Sequence, residues 1–383
     1  MHVDLKLAER WRCTGIMMAC VAAVFVASVS LAQFSLPDGD RPPDVRLARL
    51  FSIEAVNETD AKLGFFVGQS GSYRILARDV ADGEERVVTT GSVARAGVRY
   101  WVDKGVLDAP GQRFYVVDVT IPVSPKRRSF DWGLYVQERK AGVSHLVSFP
   151  VSFPEGLPDT SGLQGALGKQ LLYGLSAGTS TNDADRVAIM NADGEWVSAY
   201  LVQAADGEAQ WREPDLKTPS ALEMQTGRAF WIHRHSGDPH MTSKGIFAGP
   251  LPKEPTSVNF TSADRGITPF GVCGPESKQH RNTEKAARYS TPANQLGFAT
   301  LGSGGSTADI RRDSERGDQI WVWGGDGWAR RYWLMGHLGD KWDGKWWDPK
   351  ANDFADFSLE PGVGYYYVHR TNTWGGTDFD WTP

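Results

Sequence analysis

Tryptophans crowd the C-terminal part of this chain, at Trp321, Trp323, Trp328, Trp333, Trp342, Trp346, Trp347, Trp374 and Trp381. A flat indole ring can stack on a sugar face or anchor a protein partner, covering a large area with little side-chain entropy to lose. Trp321 and Trp323 alternate along an apolar segment, so on a strand they share one face. Asp340 and Asp343 flank Trp342 and stand close to Trp347, where their carboxylates could orient the hydroxyl groups of a sugar. The candidate ligand-binding set is therefore Trp321, Trp323, Trp342, Trp347, Asp340 and Asp343.

Other residues capable of chemistry form weaker constellations. His233 and His235 would point to the same side of an extended strand, a spacing that can hold zinc or copper, with His240 nearby. No Cys or acidic ligand is placed to complete that shell, and a strand-end role is favoured. Asp183, Asp185 and Asp193, then Asp313, Asp318 and Asp326, sit in turns without the alternating Asp-x-Asp-x-Asp pattern and following Glu of a calcium loop. Asx-turn and capping roles explain them. Cys273 lies among glycines and a proline with no partner motif, and reads as a packing residue. There is no Gly-x-Ser-x-Gly elbow, His-Glu-x-x-His or phosphate loop. The expectation is a chain without catalytic residues, metal or cofactor.

A passage that occurs twice separates framework from candidate site. Asp185 to Trp196 returns loosely as Asp318 to Trp328, with Asn191-Ala192-Asp193-Gly194 matched by Gly324-Gly325-Asp326-Gly327. Tyr200 then matches Tyr332, Trp211 matches Trp346, Gly227 matches Gly362, and Phe230-Trp231-Ile232-His233-Arg234 matches Tyr366-Tyr367-Val368-His369-Arg370. A repeat of this length is a duplicated module. Trp196 and Trp328, like Trp211 and Trp346, are shared by both copies and are read as core. Trp321 and Trp323 replace Ala188 and Met190, and Trp342 and Trp347 have no aromatic counterpart. Maintaining the fold does not demand them, which is why they head the ligand-binding set.

The first residues have the character of an export signal. Lys6, Arg10 and Arg12 precede an uncharged apolar run from Ile16 to Leu31, and Ser30-Leu31-Ala32 places cleavage after Ala32. Met18-Ala19-Cys20 is a weak lipobox on the wrong side of the apolar run. Cys13 and Cys20 leave with the signal, so Cys273 remains without a disulfide partner. The net charge is −5, and the strongest basic cluster is only Lys126-Arg127-Arg128, which argues against nucleic acid as a partner. No long apolar segment follows the signal, so no membrane span is expected after cleavage.

Short alternating segments rich in Val, Ile, Tyr, Phe and Trp, punctuated by Gly and Pro, indicate antiparallel β structure throughout. The expected organisation is a signal peptide over 1–32, an extended leader over 33–43, a β-sandwich over 44–123 and a linker over 124–132. A first β repeat module would occupy 133–252, a linker 253–257 and a second module 258–383. The fold class is all-β, a sandwich followed by two duplicated antiparallel modules.

Tyr73-Arg74-Ile75-Leu76-Ala77, Thr89-Thr90, Tyr100-Trp101-Val102-Asp103 and Arg113-Phe114-Tyr115-Val116 resemble the strand signatures of small fibronectin-III-like modules of secreted bacterial proteins. That resemblance implies a β-sandwich and carries no chemistry. The paired modules, with their Asp-Gly-x-Trp turn, lone mid-module Trp and Pro-Gly-x-aromatic finish, look like those of poorly characterised secreted proteins of environmental Gram-negative bacteria; the first copy has Thr226 in place of the finishing proline. The composite expectation is an exported, non-catalytic structural or interaction protein of the cell surface or extracellular matrix. Its partner would be an extracellular or cell-surface protein or a polysaccharide. A glycan-binding protein using the C-terminal tryptophans is the alternative, and an enzyme acting on polysaccharide a weaker one.

Overall fold

A computed structural model describes residues 48–79, 83–121, 124–129, 131–152, 162–235, 242–252, 258–260, 266–273, 291–292, 318–325, 327–334, 346–355, 357–369 and 379–381. The chain is all-β, built from antiparallel sheets, with one short helix at Ala166–Leu171 among the described residues. No described helix is long and apolar enough to cross a membrane. The expected signal peptide, leader and second linker lie outside the described residues.

A three-stranded outer sheet (Ala48–Ala55, Ala61–Val67, Gly97–Asp103) faces a central sheet ordered Thr242–Pro250, Trp132–Lys140, Gly111–Ile121, Gly71–Arg78, Arg86–Val93. Alternation decides which side chains meet. Leu63, Phe65 and Val67 of the outer sheet pack on Ile75, Tyr115, Val117, Leu134 and Val136 of the central one. This sandwich departs from the expected boundaries in two ways. Ser124–Arg128, expected as linker, is a strand paired with Gly111–Ile121. Trp132–Lys140, expected as the last linker residue and the start of the first module, and Thr242–Pro250, expected near that module's end, pair along their whole length and complete the central sheet. Proline and charge in 124–132 suggested a loop, but an antiparallel ladder needs only backbone groups, so edge strands tolerate both.

The first module is thus inserted between two neighbouring strands of the sandwich. Its sheet has the order Ala209–Arg212, Trp196–Gln203, Arg186–Met190, Ala229–His233, Ser144–Ser148. One face, carrying Val187, Leu201, Trp211, Phe230 and Ile232, covers the central sheet at Phe114, Tyr135 and Phe247. The central sheet is therefore apolar on both sides, as a middle layer must be.

The C-terminal sheet has the order Ile267–Gly271, Gly364–Val368, Gln319–Trp323, Trp328–Leu334, Trp346–Asp348, Asp353–Ala355. Its first five strands follow the same sequence of neighbours as the five of the first module. Its own core gathers Phe260, Phe270, Ile320, Trp346, Tyr365 and Tyr367. Gly227 and Gly362 adopt φ of 82° and 84°, and each opens the turn before its aromatic strand.

Candidate functional site

Strand register corrects the sequence alignment. Arg186 stands opposite His233 and Val187 opposite Ile232, while Gln319 stands opposite Val368 and Ile320 opposite Tyr367. Phe230 therefore corresponds to Tyr365, one residue earlier than the matching His-Arg dipeptides suggest, and Trp231 corresponds to Tyr366. Arg234 corresponds to His369. Each approaches a buried aspartate at the start of the neighbouring strand: Arg234 Nε lies 3.7 Å from Asp185 Oδ2, and His369 Nδ1 lies 2.9 Å from Asp318 Oδ2. Asp318 also accepts a 2.6 Å hydrogen bond from Tyr367, and burial with this carboxylate holds the Tyr367 phenol well above its ordinary value. Asp185 accepts from the backbone N–H groups of Ser176 and His235. These carboxylates, read from sequence as turn residues, are buried anchors of the two sheets.

The remaining polar candidates are held in structural roles. His233 shares a 2.6 Å hydrogen bond with Ser144 and stacks on Trp231; burial, then Arg186 and His145, lowers it to about 4. His235 is exposed and directs its backbone N–H to Asp185, and His240 lies outside the described residues. Asp183 accepts from the backbone N–H groups of Thr179 and Ser180 and from both hydroxyls, which lowers its pKa as a capping aspartate requires. Cys273 is buried, and burial pushes its thiol up, away from the nucleophilic thiolate. Asp313 and Asp326 lie outside the described residues.

The two modules meet through the faces opposite their cores. Gly271 donates its N–H to the Gly227 carbonyl at 3.0 Å, and Ser148 donates to the Gly362 carbonyl at 3.1 Å. Ser148 and Gly271 occupy corresponding register positions, as do Gly227 and Gly362, so the two bonds are reciprocal about a local two-fold. Gly271 is required here: a Cβ would run into the Ser148 side chain across that axis. Around it, Trp231 donates Nε1–H to the Tyr366 hydroxyl at 2.8 Å, and Trp196 stacks on Tyr366 with ring centroids 6.1 Å apart.

Two of the candidate tryptophans belong to this junction. Trp323 donates Nε1–H to the Ser144 carbonyl of the first module at 2.7 Å and meets Trp231 edge-on at 5.0 Å. Trp321 packs on Trp328 at 5.3 Å, donates to Gln319 Oε1, and carries the Arg331 guanidinium 4.3 Å from its ring centroid. Trp347 lies on the same face two strands away, half-buried, with Phe354 edge-on at 5.1 Å. Trp342, Asp340 and Asp343 lie outside the described residues.

The core assignment holds for Trp211 and Trp346, both at most 1 % exposed. It fails for Trp196, which is 36 % exposed, and Trp328 is only half-buried within the aromatic junction. Their indoles follow the hairpin turn and fall on the outer face, where module meets module. Trp231, Tyr366 and Arg331 are members of this surface that sequence reasoning missed. Trp231 and Tyr366 occupy aromatic strands whose period-2 alternation, in the correct register, would have separated core from outer face.

The chain matches no protein-family model and no curated protein sequence.

Proposed function

We propose that this chain is an exported, non-catalytic interaction protein whose C-terminal module binds a flat ligand, a glycan of the cell surface or matrix, on its outer aromatic face. The observation that carries the reading is the continuity of that face. Trp321 pairs with Arg331 across one ladder, and Trp333, Trp347 and Phe354 pair across the next two, so aromatic positions extend from the junction to the sheet edge. Adjacent strands lie about 4.8 Å apart, and Trp347 stands opposite Trp333, two residues along from Arg331, so Trp321 and Trp347 are about 12 Å apart on the sheet, room for more than one sugar ring between them. Arg331, exposed above Trp321, adds a hydrogen-bond donor beside the platform.

The shared strand order and the paired Asp185–Arg234 and Asp318–His369 anchors support an origin of the two modules by duplication. Aromatic substitutions in the second copy then serve two ends: Trp323 fastens the modules together, and Trp347 with Phe354 faces outward. The basic and apolar N-terminal sequence, cut after Ala32, supports export.

The test is a polysaccharide array read by intrinsic tryptophan fluorescence on wild type and on a Trp347→Ala, Phe354→Ala double variant. Binding by wild type and its loss in the variant at unchanged melting temperature is the expected result. An unfolded variant would place these rings in the core, and an array without any response would defeat the glycan reading.

A further inference from the structure

The outer sheet of the sandwich has an unprotected edge. Among the described residues, Gly97–Asp103 pairs only with Ala61–Val67, and its other side meets no strand. The phase of the ladder decides which backbone groups that side presents. Val56 donates its N–H to the Asp60 carbonyl, so the even-numbered residues of Ala61–Val67 bond to Ala48–Ala55 and the odd-numbered ones to Gly97–Asp103. Leu63 stands opposite Trp101 and Phe65 opposite Arg99, which leaves Val98, Tyr100 and Val102 with their N–H and C=O groups directed outward. The Val98 carbonyl agrees with this, since it accepts from the Arg99 guanidinium of its own strand at 2.7 Å.

Side chains of the same three residues form an apolar row on the outer face. Val98, Tyr100 and Val102 are 44, 62 and 36 % exposed. Tyr100 lies opposite Gly64, with Phe51 edge-on at 6.5 Å and the Lys62 ammonium 5.4 Å from its ring centroid. An open edge strand with an apolar row is a template for another strand. What it fits is set by its own sequence, because Val-x-Tyr-x-Val reads the same from either end. An antiparallel copy, turned about a two-fold axis at Tyr100, puts Val98 opposite Val102 of the second copy and the two Tyr100 residues opposite each other, with each pair exchanging two backbone bonds. On the inner face it sets the Arg99 guanidinium beside Trp101 of the second copy.

Charges beyond the strand complement each other in the same register. Arg95 arrives opposite Gly105 of the second copy, and the Asp108 carboxylate lies 3.0 Å from where a Cβ on Gly105 would stand. Arg95 and Asp108 are both exposed, and among the described residues neither has an ion-pair partner. Asp60, which accepts from the Gly105 N–H, adds a second carboxylate at that end against the Lys104 ammonium.

We propose that two copies of this chain join edge to edge through Gly97–Asp103, making their two three-stranded sheets one sheet about a two-fold axis at Tyr100. The contact is one strand wide, so it belongs to the weak class of interfaces. It is independent of the aromatic face of the C-terminal module.

Sedimentation equilibrium of the purified protein from about 10 µM to about 1 mM reads the association. Wild type should pass from monomer to dimer within that range without larger species, because a two-fold contact uses up its own surface. Tyr100→Glu sets like charges face to face on the axis and should keep the protein monomeric, with a melting temperature close to that of dilute wild type, since the position is exposed. Arg95→Asp and Asp108→Arg should each weaken the dimer about threefold or more, and the two together should restore it, which a variant that had merely lost its fold would not do. The Trp347→Ala, Phe354→Ala variant should dimerise like wild type. A protein still monomeric at the top of the range, a mass that climbs beyond the dimer, a dimer indifferent to Tyr100→Glu, or a double charge reversal no better than either single one overturns the proposal. So does a dimer lost in Trp347→Ala, Phe354→Ala, which would move the contact to the aromatic face.

Discussion

The hydrogen bond from Trp231 to Tyr366 is the most direct probe of how the two modules are joined, because its donor and acceptor come from different sheets. Trp231→Phe removes the donor and keeps a ring against Trp323, Trp328 and Tyr366. Tyr366→Phe removes the acceptor, a phenol that burial raises to about 12 against the hydrogen bond with Trp231. Each single change leaves one polar group without its partner in a half-enclosed site, which costs about 1–3 kcal/mol when the group is fully buried and toward the lower end here. The double variant removes both groups, so the hydrogen bond should return as a coupling energy of about 1 kcal/mol. Urea unfolding of the four proteins, followed by fluorescence and accepted only where the m-values agree, measures it. A coupling below about 0.3 kcal/mol, the ordinary limit of additivity, would refute the docking of the modules on these faces.

Three other perturbations test different parts of the structure. Trp211→Ala should destabilise by about 3–5 kcal/mol, since a buried ring is lost and its bond to the Gly168 carbonyl with it, whereas Trp196→Ala, with 36 % of that side chain's residue exposed, should lose clearly less in the same denaturation assay. Asp318→Asn or Asp185→Asn breaks a buried anchor and should lower stability by about 3–5 kcal/mol in either module, read as a fall in melting temperature. His233 has its folded pKa lowered to about 4 from 6.5, so the unfolded chain takes up the proton first; the stability from its neutral form is complete above about 6.5 and fades as pH falls toward 4. Melts across that window should be flatter for His233→Gln than for wild type.

Much of the local structure was legible in the sequence. The hairpin around Asp193-Gly194 forms with Arg186 to Met190 laddered onto Trp196 to Tyr200, and Gly194 takes the positive φ that its place in the turn implies. Trp211 and Trp346 are core as their matched positions indicated. What was not legible depends on long-range pairing. Nothing in Thr242–Pro250 by itself tells that its partner is Trp132–Lys140, because a strand's alternation fixes its face and not its neighbour. The His-Arg dipeptides at His233 and His369 misled by identity: the structural equivalence joins Arg234 to His369, two different side chains that approach an aspartate in the same place. A one-residue slip exchanges the two faces of a strand, so core and junction aromatics could not be told apart. The burial of Arg139 carried no signal at all, since a basic residue in a strand reads as a solvated one.

The placement of the first module inside the sandwich has a consequence for the order in which the chain can fold. Ser243 reaches the Arg139 carbonyl across 104 positions of sequence, and the ladder beside it cannot form until the whole intervening module has been synthesised. Closing so long a loop is entropically slow unless the loop is first made compact. Once the inserted module folds, its own ladder between Ser144–Ser148 and Ala229–His233 brings Val143 and Arg234 together, with Arg234 donating its N–H to the Val143 carbonyl at 3.2 Å. The two sandwich strands then leave from neighbouring points, and their pairing becomes a local event. The first module thus acts as the hairpin loop of the sandwich, and a lesion in its core delays closure of a sheet it does not belong to.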